Sequence, residues 1–255
     1  MNEFELIHHY FKQRHSDVGG SSAGITLGIG DDAAVLQPTP GHKTAVAVDT
    51  LVSGVHFPEN ASAYDTGWRS LAVNLSDLAA MGATPRWFTL ALTIPSINKD
   101  WLQAFSTGLF DCAQGYDIKL VGGDTTAGPL TLSIQVMGEV ADGKFLTRSG
   151  AREGDSIYLT GYIGDAMAGL GIMQNRYSAS GTQREYLLDR FMKPTPRIEA
   201  GLALSRLATA AIDISDGLVA DLGHIARASQ LSAQLQLDKI PVSNPLIELL
   251  GRDTA

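Results

Sequence analysis

Residues 118–126 read IKLVGGDTT: a short apolar run, then two glycines, an acid and two hydroxyls. This is the pattern of a buried strand that runs out into a turn able to meet a ligand. Working outward, residues 99–114 carry apolar positions at the spacing of an amphipathic helix, Trp87–Ile94 read as a strand, and Leu130–Val140 as a long one. Asp65–Met81 is a further predicted helix, with Leu71, Leu75, Leu78 and Gly82 on one face, Asp65 as its candidate N-cap, and Asn74 and Asp77 sharing a polar face. The start is richer in strands. Residues 4–14 look helical and 18–24 form a Gly/Ser-rich loop, after which 26–29, 35–36 and 44–48 read as strands separated by turn residues including Pro38, Pro40 and Gly41. Strand and helix then alternate, which favours α/β or α+β layers.

Another unit begins near residue 150, where SGAREGD supplies turn residues. The expected order is a strand at 156–160, helices at about 164–175, 184–191 and 196–208, a strand at 209–214, a helix at 217–229, a strand at 233–237 and a short helix near 245–250. The fold class is therefore α/β (α+β) in two domains, 1–148 and 149–255. The C-terminal domain is expected to be incomplete, because so short a sheet rarely closes a core by itself.

The chain has 255 residues, 44% of them hydrophobic and 18% charged, the composition of an ordinary soluble globular protein. No run approaches the roughly 18 apolar residues of a membrane span. The opening MNEFELIHHYFKQ lacks the basic and then apolar order of a signal peptide, so the cytoplasm is the expected compartment. A net charge of −8 argues against a general nucleic-acid binder, which needs clustered Lys and Arg. The single Cys112 excludes an intrachain disulfide.

Five segments set aspartates beside apolar runs or small residues: GIGDDAAV, AVAVDT, LAVNLSDLAAMGA, LVGGDTT and AAIDISDGL. An unpaired carboxylate that loses water is costly and is normally neutralised, paired or placed on a metal. Basic partners are missing, since no Lys or Arg falls within Ile25–Val35, Ala45–Val55 or Val121–Thr126. Mg²⁺, which bridges carboxylates to phosphates while keeping water ligands, is the natural counter-ion. Phosphate chemistry is the leading expectation.

The individual motifs add detail. In GIGDDAAV the neighbours Asp31 and Asp32 point opposite ways on extended backbone and so differ in role. Asp49 ends an apolar strand, and His56 follows seven residues on, where its imidazole could donate to a phosphate. The glycines of LVGGDT at a strand end can form an anion nest with their N–H groups. The chain has no GxxxxGK[ST] loop. In AAIDISDGL, Ser215 or Asp216 could simply cap the following helix, which leaves Asp213 unexplained. Arg148, in FLTRSGA, could clamp phosphates in bidentate fashion or stand solvated between domains.

Taken in order, GIGDDAAV, VDTLVSGVHF, AVNLSDLAAMGA, LVGGDTT, LTRSGA, TGYIGDAMAGL and IDISDGLVADLGHI resemble the thiamine-monophosphate kinase family, from about residue 3 to the C-terminus. That family shares an ATP-using superfamily with aminoimidazole ribonucleotide synthetase and selenophosphate synthetase. The resemblance implies an N-terminal α/β domain that dimerises, a C-terminal α+β domain and an ATP site between them. It implies that Asp32, Asp49, Asp77, Asp124, Asp213 and Asp216 hold several Mg²⁺ ions, that Gly123, Asp124, Arg148 and Ser215 contact ATP, and that His56 faces thiamine monophosphate. No protein nucleophile is implied.

Two departures stand out. Ala47 and Val48 occupy positions where the family often has hydroxyl residues, and the GG[DE]DYEL-type segment and C-terminal aromatic expected to bind substrate are absent from these 255 residues. An alternative reading is therefore a shortened, catalytically silent Mg²⁺/nucleotide-binding dimer. A sibling ATPase such as selenophosphate synthetase is disfavoured, because the N-terminus has no reactive Cys.

Overall fold

A computed structural model describes residues 3–12 and 24–251. Helix α1 (Glu3–Ile7) continues into a wider π-type turn, His8–Lys12, whose Tyr10 and Phe11 are buried with Leu6. The rest of the expected 4–14 helix, and nearly all of the 18–24 loop, lie outside the described residues.

One four-stranded sheet organises the first half. It comprises β3 (His42–Val52), β4 (Thr84–Ile94), β5 (Lys119–Ala127) and β6 (Thr131–Ala141), in the order β3-β6-β4-β5. β6 runs antiparallel to both neighbours, and β4 is parallel to β5. A parallel pair needs a crossover connection, and α3 (Lys99–Gly115) supplies it, with Asn98 accepting the Trp101 N–H as N-cap. A separate two-stranded piece, β1 (Ile25–Leu27) with β2 (Val35–Leu36), brackets the GDD loop.

Helix α2 (Ala63–Ala80) covers one face of the sheet beside α3. Its N-cap is Ser62, which accepts the Asp65 N–H; Asp65 itself sits in the first turn rather than at the cap expected from the sequence. A hydroxyl at 62 captures the free amide, and the helix starts two residues earlier. Leu71, Leu75 and Leu78 are buried against Phe88, Leu90, Leu132 and Ile134. The helices approach closely at two glycines: a Cβ on Gly67 would strike Phe105 O, and one on Gly108 would strike Tyr64 O. On the sheet's other face, Glu139, only 3% exposed, accepts the Thr39 N–H (2.6 Å), the Thr39 hydroxyl (2.8 Å) and Arg86 Nε (2.8 Å). That staple fastens the 38–40 segment, and with it the end of the β1–β2 piece, to the sheet.

Two expectations for the sheet are corrected. β3 is 11 residues long, not five, because its ladder with β6 pairs every residue from His42 to Val52. β5 does not stop before the glycines; it runs to Ala127, with Gly123 paired to Leu90 and Asp124 to Ala91. The Gly pair therefore forms no nest. Gly123 is required for close approach, since a Cβ there would collide with the Leu90 carbonyl.

The C-terminal half is helical: α4 (Asp165–Met173), α5 (Gly181–Met192), α6 (Ile198–Leu204), α7 (Leu218–Ser229) and α8 (Asn244–Leu250). The strands expected at 156–160, 209–214 and 233–237 do not form. Strands need a ladder partner, and these segments make isolated bonds only, such as Ala211 N–H to Thr147 O. A small core of Ala168, Ile172, Leu187 and Leu246 holds the helices. Beside it Asp165, almost fully buried, accepts Tyr186 Oη (2.8 Å) and Ser243 Oγ (2.6 Å).

Helix α2 joins the halves. Its Trp68 Nε1 donates to Pro194 O, its Arg69 guanidinium donates to Phe191 O and lies 4.1 Å over the Phe191 ring, and Gly201 of α6 packs directly on Ala79.

Candidate nucleotide and metal site

Near its C-terminal end, the helix that joins the halves also presents the site. Asn74 on α2 is fully buried; its Nδ2 donates to Ser70 O, and its Oδ1 accepts the Asp49 N–H at 2.9 Å. β3 is an edge strand with outward amides unpaired, so Asn74 satisfies the one at Asp49 and sets that residue against the helix. One turn further, Asp77 lies within electrostatic reach of both Asp49 and Asp213. The linker after β6 arrives at the same place, because the Leu146 N–H donates to Met81 O just past α2, and two residues later comes Arg148.

The electrostatics show how uncomfortable this arrangement is. Burial first, and then repulsion from Asp213 and Asp49, push the Asp77 carboxyl up to about 6, against an opposing pull from Arg148. Asp213 is likewise raised, by burial and by Asp221, despite a hydrogen bond to Ser76 and the attraction of Arg148. Asp77 and Asp213, one from each half of the chain, thus share the cation Arg148, with Asp49 close enough to repel Asp77. That is an excess of negative charge waiting for a polyvalent partner.

Such a set fits Mg²⁺ in a particular way. Among the described residues no three His, Cys, Asp or Glu side chains converge closely enough to form a cage. Ions here would take their remaining positions from water and phosphate oxygens, as Mg²⁺ commonly does.

The other expected residues are placed as follows. Gly123 shares a row of the sheet with Leu90, Ile134 and Asp49, about 14 Å from Asp49 across three strand spacings. Asp124 is one row on, exposed, beside Ala91. Asp32 lies exposed on the loop between β1 and β2. His56 sits in the turn after β3, exposed; its Nδ1 accepts the Val52 N–H at 3.0 Å, which leaves Nε2–H as the outward donor. Ser215 and Asp216 are exposed in the loop before α7. Asp49, Asp77, Asp213 and Arg148 are therefore brought together, while Asp32, Asp124 and Asp216 stand outside that coupled set.

Several contributors escaped the sequence. Ser76, one residue before Asp77, bonds Asp213. Asp221 receives three backbone N–H groups from the 215–217 loop. Its only sequence signal is an acid in the first turn of a helix, a commonplace of helices in general.

Known proteins resemble this chain in sequence and in fold. The family described as AIR synthase related protein, N-terminal domain, matches residues 30–140, and the corresponding C-terminal domain matches residues 152–253. The thiamine-monophosphate kinase of Escherichia coli (strain K12) is 49% identical over 245 residues, which is 96% of this chain and 74% of that protein. The crystal structure of thiamine-monophosphate kinase from Stenotrophomonas maltophilia K279a superposes with a TM-score of 0.89 at 47% identity, covering 97% of this chain and 79% of that one. AaThiL complexed with AMPPCP and TMP superposes with a TM-score of 0.78 at 29% identity, covering 97% and 78%. On the strength of sequence and structure alike, the chain belongs to the thiamine-monophosphate kinase family.

Proposed function

We propose that this chain catalyses the ATP-dependent phosphorylation of thiamine monophosphate to thiamine diphosphate by direct transfer of the γ-phosphoryl group. One observation carries the reading: Asp49, Asp77 and Asp213, drawn from both halves of the chain, share a site with Arg148 and too few cations to balance them. A relative was solved with AMPPCP and TMP bound, which supports the same pair of ligands here.

In the proposed reaction an oxygen of the substrate phosphate attacks the γ-phosphorus, the bond to the β-bridging oxygen breaks, and ADP leaves with that electron pair. Two anionic groups must meet, so the enzyme's work is positioning and charge neutralisation rather than covalent chemistry. Bound Mg²⁺ would supply the neutralising charge. Asp32, Asp49, Asp77, Asp124, Asp213 and Asp216 are the residues proposed to hold several such ions, the three coupled acids first among them. In this reading Arg148 would pair phosphate oxygens, Gly123, Asp124 and Ser215 would contact ATP, and His56 would offer Nε2–H to thiamine monophosphate. The division at 148–149 separates the unit carrying Asp49 and Asp77 from the one carrying Asp213. Val46 and Val48, 59% and 61% exposed on the open face of β3, support a homodimer formed through that face. No described helix is long and apolar enough to cross a membrane; the proposed compartment is the cytoplasm.

Melting curves with Mg²⁺, ATP and thiamine monophosphate, run beside an assay for thiamine diphosphate, test the reading. Mg·ATP is expected to raise the melting temperature, and thiamine monophosphate to accelerate ADP release with formation of thiamine diphosphate. Stabilisation by Mg·ATP without turnover would leave only the silent nucleotide binder, and no Mg²⁺-dependent stabilisation would defeat both.

A further inference from the structure

Helix α7 is fastened at each end to a loop that carries residues of the site. At its first turn Asp221, 3% exposed, accepts the N–H groups of Ser215, Asp216 and Gly217 at 3.0, 3.1 and 3.0 Å, all on the single oxygen Oδ2. At its last residue the Ser229 hydroxyl accepts the Gly150 and Ala151 N–H groups, each at 3.2 Å, and donates to Arg148 O at 3.4 Å. One donor and two acceptor positions are all that a hydroxyl has, so Ser229 is fully committed. The N-cap is Gly217 and the C-cap is Gln230 in the left-handed region; Asp221 reaches back to the N-cap amide and beyond it to two more of the loop, while Ser229 bonds outside its own helix altogether.

These bonds matter because of what the loops hold. The 213–217 loop carries Asp213, Ser215 and Asp216, and the 147–151 linker carries Arg148. The neighbouring stretches also meet through Ala211 N–H to Thr147 O and the packing of Gly150 on Thr209 O, and Arg148 attracts Asp213. Asp221 and Ser229 lie eight residues apart on one rigid rod, a separation of about 12 Å. A helix is stiff where loops are not, so the rod converts two local bonds into one fixed spacing between an arginine and a group of acids.

We propose that α7 is a positioning bracket: Asp221 and Ser229, which face loops rather than ligand, set where Arg148 stands relative to Asp213, Ser215 and Asp216, and so set the affinity of the nucleotide site. The proposal rests on the nucleotide reading above and goes beyond it by assigning that affinity to two positioning residues.

Two measurements on the full chain test it: amide hydrogen exchange without ligand, and calorimetric binding of a non-hydrolysable ATP analogue with Mg²⁺. Ser229→Ala is expected to speed exchange at Gly150 and Ala151 and to weaken the analogue by about tenfold, the scale of one lost hydrogen bond. Asp221→Ala should do the same at residues 215–217 and weaken binding further, since it removes a charged acceptor. Asp221→Asn keeps an acceptor oxygen and is expected to restore most of both; with Ser229→Ala it decides the matter even if Asp221→Ala does not fold. Faster exchange with unchanged affinity, or unchanged exchange, would overturn the bracket. A wild-type chain that does not bind the analogue would instead defeat the nucleotide reading itself, an outcome visible before any variant is made.

Discussion

Asp77 and Asp213 oppose each other in one site, yet they are held by structure of different kinds. Asp77 rides on α2, an 18-residue helix whose inner face is buried on a four-stranded sheet, with Leu71 and Leu75 wholly excluded from water. Asp213 lies in a loop with no ladder around it, placed by a hydrogen bond with Ser76 and by the grip of Asp221 on the residues that follow. One acid is positioned by packing, the other by a few polar contacts. Packing is collective and resists single changes at the surface; polar clamps are local, and each can be removed separately.

The largest test of that contrast is in the cores. Leu75→Ala is expected to cost about 4 kcal/mol, because sheet and helices around it cannot collapse into the space. Leu187 is equally buried but belongs to a cluster of four buried residues ringed by half-buried side chains, with fewer lost contacts at stake, so Leu187→Ala should cost about 2 kcal/mol. Urea unfolding followed by fluorescence measures both. Equal costs would mean that the helical half is as tightly built as the sheet half.

Asp77→Asn sharpens the comparison from the site's side. The folded carboxyl is raised to about 6, so the folded chain binds a proton more tightly than the unfolded chain does. Its contribution is then fully present below the unfolded value near pH 4 and is lost as pH rises through about 6. In ion-free buffer at pH 7.5 the Asn variant should accordingly be more stable than wild type by about 1–2 kcal/mol, after allowance for solvent screening. The gain should vanish at pH 4. Added Mg·ATP should reverse the order, stabilising wild type and leaving the variant nearly unmoved. A variant less stable than wild type without ions would show that Asp77 is a structural acid.

How much of this was legible in the residues follows the same line. The helices of both halves were readable, because an apolar stripe at 3.6-residue spacing is a local property; α3 and α7 begin and end within a residue or so of expectation. β3 and β5 were read too short, since their length is set by ladders with β6 and β4 that are distant in sequence. The three segments of the C-terminal half read as strands have the composition but not the partners. Among site residues, Asp49, Asp77 and Asp213 stood out as acids beside apolar runs or small residues, Asp49 also without basic neighbours. Asp221 and Ser229 did not, because a hydroxyl or carboxylate that grips backbone has no side-chain partner for a sequence pattern to reveal.

The smallest effects concern residues that look alike by exposure. Leu237, 79% exposed, sits in a short 3-10 turn of the C-terminal half, whereas Val48, 61% exposed, stands on a fully paired edge strand beside Val46. Replacing either should change the stability of the isolated fold by no more than about 0.5 kcal/mol. Their meanings differ: a flat run of edge-strand side chains can template a second copy, and a single leucine on a turn cannot. Val48→Lys is therefore expected to halve the mass seen in sedimentation, since two lysines would face each other across a two-fold axis with no counter-charge from Val46. Leu237→Gln should leave that mass where it was. If Val48→Lys also leaves it unchanged, the open face of β3 is not where two copies meet, and the exposed valines of the sheet half carry no more information than the exposed leucine of the helical one.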